Sequence, residues 1–103
     1  MAKTVEQKKA EFTALMNENG FTLNGEAMHD GRPVYSRRWT KKVEVLWRGT
    51  MDKSLEIKVD EAHGIPMVRV FKDGRQDAQK GYTSTKRMIN ALREITGWAG
   101  FEF

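Results

Sequence analysis

The chain opens on a helical period. Val5, Phe12, Leu15 and Met16 recur among Lys8, Lys9, Glu11 and Glu18, which predicts an amphipathic helix over about residues 4–19. Thr4 followed three residues later by Gln7 is a capping-box pattern, and Asn19-Gly20 is a stop. The period then shortens to two. Phe21 and Leu23 alternate in a strand expected over 21–28, interrupted at Asn24-Gly25 by a turn or bulge signal. Asp30-Gly31 predicts a hairpin turn. Pro33 cannot donate to a sheet ladder, so it puts Val34-Tyr35-Ser36 at a strand start or an edge. The clearest alternation is Lys42–Arg48. Val43, Val45 and Trp47 share one face there, which makes Trp47 a core candidate. Gly49–Lys53 reads as a connecting loop. Leu55, Ile57 and Val59 then alternate with Glu56, Lys58 and Asp60 in a further strand. A polar loop over Asp60–Pro66 leads to a last strand, Met67–Phe71, ended by Asp73-Gly74. Residues 74–82 are polar, show no period and read as a loop.

A second helix is expected within Lys80–Trp98. Thr83 or Ser84 can cap its first turn, and Met88, Ile89, Leu92 and Ile95 fall on one face. Gly97 stands where a left-handed C-terminal cap is expected, and Trp98 reads as core beside Leu92 and Ile95. Phe101 and Phe103 in the aromatic tail have two readings: they close the core, or they anchor a protein partner. The order of elements gives an α+β class. The expected architecture is a four- or five-stranded antiparallel meander with an N-terminal and a C-terminal helix packed on one face. The whole chain, 1–103, is one domain.

Composition narrows the function. Without cysteine there is no disulfide framework and no thiolate metal site. No apolar run approaches a membrane span, and the polar start Met-Ala-Lys-Thr lacks a signal-peptide core, so a soluble cytoplasmic chain is expected. The net charge is +4 and the pI about 9.5. The excess is local: Arg32, Arg37, Arg38, Lys41, Lys42 and Arg48 face only Glu44 within their stretch, the footprint of a surface that meets an anion. Tyr35, Trp39 and Trp47 are interleaved with these cations. Aromatic faces stack on unpaired bases while Arg and Lys follow phosphates. Trp39 lies where the alternation is unclear and fits either a core or a stacking role. At the second helix Lys80, Lys86 and Arg87 gather near free N–H groups, an arrangement suited to a phosphate or carboxylate.

Catalytic signatures do not emerge. Asp60-Glu61-Ala62-His63 spells an acidic helicase box, but no phosphate-cradling loop accompanies it. The same residues, like His29, have no second ligand cluster at metal spacing. Ser36, Ser54 and Ser84 lie in no nucleophile elbow. Gly81-Tyr82-Thr83-Ser84-Thr85-Lys86-Arg87 resembles the motif that opens the last helix of double-stranded-RNA-binding domains, where successive lysines meet phosphates. The helix–strands–helix order is similar too. Thr85 interrupts the serine–lysine run, and the family's alanine-rich helix face and Gly-Pro loop have no counterpart.

These readings predict a small non-catalytic nucleic-acid-binding protein without metal or cofactor. Its target would be DNA or RNA, with Arg37, Arg38, Lys41, Lys42, Lys80, Lys86 and Arg87 on phosphates and Trp39 stacking. The alternative is a protein-binding regulator or inhibitor, of the kind phages use for host takeover or against defence systems. It would cover an acidic surface of a larger partner, with Phe101 and Phe103 as candidate contacts. Homodimerisation through an open sheet edge is compatible with either.

Overall fold

The computed structural model describes residues 5–27, 33–62 and 65–103. The expected capping Thr4, His29, the turn at Asp30-Gly31, Arg32 and His63 lie outside the described residues. The elements are α1 (Val5–Glu18), β1 (Thr22–Ala27), β2 (Pro33–Val45), β3 (Gly49–Ala62), β4 (Ile65–Lys72), β5 (Arg75–Gly81) and α2 (Thr85–Trp98). The five strands form one antiparallel sheet in the order β1-β2-β3-β4-β5, so the expected α+β meander is the fold. The ladder of β1 on β2 is irregular between Leu23 and Ala27, around the Asn24-Gly25 signal.

Both helices use the apolar stripes that the sequence predicts. Phe12 and Met16 of α1 and Met88, Ile89 and Leu92 of α2 are buried, with Leu15 and Ile95 packed against them. The sheet contributes Tyr35, Trp39, Leu55, Ile57, Val59, Val68 and Val70. Phe12 meets Tyr35 edge-on at 5.7 Å, and the Thr13 and Tyr35 hydroxyls are hydrogen-bonded at 2.7 Å. Thr96, also buried, returns its hydroxyl proton to the Leu92 carbonyl, so a polar residue fits inside the stripe.

Four expectations are corrected. Residues 75–81 form β5, not a loop. Asp73 and Gly74 have φ of 51° and 83°, as a two-residue hairpin turn needs, and a strand exposed along its whole length shows no alternation. The turn after β2 is Leu46-Trp47-Arg48, and the expected loop at 49–53 is the start of β3. Gly97 is helical. The left-handed cap is Gly100 (φ 86°), where the Phe101 N–H reaches the Thr96 carbonyl and the Gly100 N–H reaches that of Gly97. The helix therefore runs one turn further. It buries Ala99 and leaves Trp98 81% exposed, outside the core.

Tyr82 leads from β5 into α2, with its N–H on the Pro66 carbonyl. Burial, and then the charge of Glu94, hold its phenol above the ordinary 10.0. Because the folded pKa is raised, the unfolded chain ionises first. Stability is unaffected below pH 10.0 and falls as pH rises through the folded value. Tyr82→Phe is expected to remove that share of the alkaline loss, seen as a shallower fall in urea midpoint above pH 10 than in the wild type.

Candidate interaction surface

From Tyr35 onward strand β2 keeps a two-residue period; before it Val34, of the opposite parity, is buried too. Tyr35, Arg37, Trp39, Lys41, Val43 and Val45 face the helices; Arg38, Thr40, Lys42 and Glu44 face away. The expected site is thereby divided between two faces. On the helix side its cations have structural partners. Arg37 donates to the Asn19 carbonyl at 2.8 Å, just past the end of α1. Lys41 donates to the Gly100 carbonyl at 2.6 Å, just past the end of α2. Neither helix has a basic residue in its own last turn. The strand supplies the positive charge that both helix C-termini favour.

Trp39 belongs to the same arrangement. It is buried, meets Phe21 edge-on at 6.4 Å, and donates its indole N–H to the Glu102 carbonyl at 2.9 Å. An indole so enclosed offers no open face on which a base could stack. Phe101 and Phe103 are half-buried and pack against the core. Lys41 lies over Phe101 at 4.7 Å, and Arg37 over both Trp39 at 4.4 Å and Phe103 at 5.1 Å. Of the two readings of the tail, the core-closing one describes these contacts.

On the outer face Arg38 stands directly opposite Glu56, and Lys42 opposite Asp52. Each acid cancels much of the field of the cation across the ladder. Lys80 lies over the Tyr82 ring at 5.4 Å. Lys86 and Arg87 are exposed in the first turn of α2, where the Ser84 hydroxyl accepts the Arg87 N–H at 3.2 Å. That turn starts near Pro66 and the helix ends at Lys41, so about 20 Å of helix separates it from the root of the β2–β3 hairpin. The structure does not bring Lys86 and Arg87 beside Lys41 and Arg48.

The outstanding surface feature lies elsewhere. Ser54 is the last β3 residue held from both sides: its N–H donates to the Asp73 carboxylate at 2.9 Å, and its carbonyl accepts the Asp73 N–H at 3.0 Å. Beyond it β2 and β3 continue alone, from Lys41↔Lys53 to Val45↔Gly49, as a two-stranded arm. The molecule measures 61 Å along its longest axis against 27 and 20 Å across. The arm's tip is a tight turn closed by the Arg48 N–H on the Val45 carbonyl at 3.0 Å. Leu46 is 80% and Trp47 95% exposed there. Trp47 has φ 72°, a left-handed conformation normally left to Gly or Asn. The expectation that Trp47 is core is corrected: its shared parity with Val43 and Val45 ends where the ladder ends.

The arm is amphipathic beyond the helices' reach. Val43, Val45 and Met51 lie on the helix side, with Lys41 and Lys53 at the root of that face; Lys42, Glu44, Thr50 and Asp52 lie on the other. Met51 remains 47% exposed. The apolar residues of the arm are legible in the sequence, whereas the turn lies at 46–48 and not at the expected 49–53. The signal that could have found it is Gly49 (φ 78°) directly after Trp47-Arg48.

Among the described residues no group of three His, Cys, Asp or Glu is placed to hold a metal, and no helix is long and apolar enough to cross a membrane. Asp60, of the helicase-like tetrapeptide, is buried within β3. No protein-family model, curated protein or solved structure matches the chain.

Proposed function

We propose that this is a non-catalytic binding protein that engages a larger protein through the tip of the β2–β3 arm, in the manner of a regulator or inhibitor. One observation carries the reading: an apolar tip, Leu46-Trp47, held almost fully exposed on an arm clear of the core, with a strained backbone at the tryptophan. Exposed apolar surface costs solubility, and left-handed φ at a bulky residue costs stability; together they point to a function. Tryptophan is also the residue most enriched among interface hot spots. The charge pattern agrees, since Arg37 and Lys41 serve the helix ends and Arg38 and Lys42 face acids.

Nucleic-acid binding is the second reading. It now rests on Trp47 and Arg48 at the tip, in place of Trp39, because a two-stranded ribbon fits a groove and an exposed indole can stack or wedge between bases.

The test compares the wild type with Trp47→Gly as bait in nuclease-treated lysate, followed by affinity measurement on the captured partner. A stoichiometric protein whose affinity falls roughly 100-fold in the variant supports the lead reading. Capture that vanishes with nuclease supports the second. The same variant is expected to raise the unfolding free energy by about 1 kcal/mol, because glycine removes the strain at φ 72°. Urea denaturation measures that gain and excludes misfolding as the cause of lost binding.

A further inference from the structure

Resting on that reading, we infer that the arm is a plug, enclosed by its partner in a cleft with an apolar floor. The five pairs from Lys41↔Lys53 to Val45↔Gly49 make a ribbon about 17 Å long and about 10 Å in width and thickness. One flat face offers about 170 Å², roughly a fifth of the about 800 Å² that each side of a stable interface supplies. A second copy laid against this face, or a flat partner surface, gains no more than that. Enclosed on both faces and both edges, with its tip covered, the same ribbon presents about 800 Å².

Leu46 and Trp47 close the end of the ribbon and are its most exposed apolar groups. Val43, Val45 and Met51 line one face, with Lys41 and Lys53 at its root, while Lys42, Glu44, Thr50 and Asp52 line the other. The complement is a cleft whose floor and one wall are apolar and whose opposite wall carries polar groups and charges of both signs. The Asp73 bonds to Ser54 and the Lys41 bond to Gly100 brace the root, so the arm meets such a cleft already formed.

A photoreactive phenylalanine placed singly at Trp47, Thr50, Met51 or Gln76 in the full chain, irradiated in lysate, tests the enclosure. The plug predicts adducts with one and the same protein from the tip and from both faces. It also predicts a yield roughly tenfold lower from Gln76, on an edge strand outside the contact. Adducts from Trp47 with Met51 alone, or with Thr50 alone, overturn the enclosure and leave the protein-binding reading standing. Adducts joining two copies of this chain overturn both in favour of a dimer, and adducts with nucleic acid overturn both in favour of a groove-binding arm. Failure to form any adduct from Trp47 also overturns both.

Discussion

Trp39→Ala is expected to lower the unfolding free energy by about 4 kcal/mol, a large part of what a domain of this size has. The indole is buried on the helix side of β2, where it meets Phe21, Phe103 and the Arg37 guanidinium. Truncation leaves a cavity beneath all three and removes the donor to the Glu102 carbonyl. Trp39→Phe separates these contributions. It keeps most of the apolar volume and loses the N–H bond, so about 1–2 kcal/mol is expected. Urea unfolding of both variants gives the two numbers. An alanine variant within 1 kcal/mol of wild type would contradict the buried placement.

Gly100→Ala and Gly97→Ala are expected to move stability in opposite directions. Gly100 has φ 86°, and a Cβ there would come within 2.7 Å of the Lys41 ammonium that bonds its carbonyl. Left-handed strain and displacement of Lys41 together should cost about 2 kcal/mol. Gly97 is inside α2, and a Cβ there meets nothing within 4 Å. Alanine at that position should add about 0.5–1 kcal/mol by restricting the unfolded chain. Thermal or urea unfolding reads both. A loss at Gly97 with no loss at Gly100 would contradict this placement of the helix end.

The glycine pair shows where the sequence could be read and where it could not. Met88, Leu92 and Phe12 marked the helices and their buried faces, because apolar side chains at helical spacing have little else to do. The end of α2 was misplaced, because Gly97 and Gly100 are both plausible caps and only the packing of Ala99 decides between them. Strand β2 was harder. Arg37 and Lys41 occupy inward positions, so the apolar alternation is broken between Ser36 and Lys42 although the ladder is continuous. Their reason for facing inward, two helix ends brought in from far along the chain, is absent from the local pattern. The same cations give the segment the charge pattern expected of an anion-binding surface. Strand β5 had no period because nothing covers it on either side. Trp47 carried the parity of a core residue, and only the position of the turn places it at an exposed tip.

The arm shares two strands with the core but not the core's protection. Its ladder is open to water on both faces beyond Ser54, and its stability rests on five cross-strand pairs and a strained turn. It therefore constitutes a separate unit of local opening. Its amides should exchange with solvent hydrogen well before those of Leu55–Val59, and a change of conformation there leaves the remainder folded.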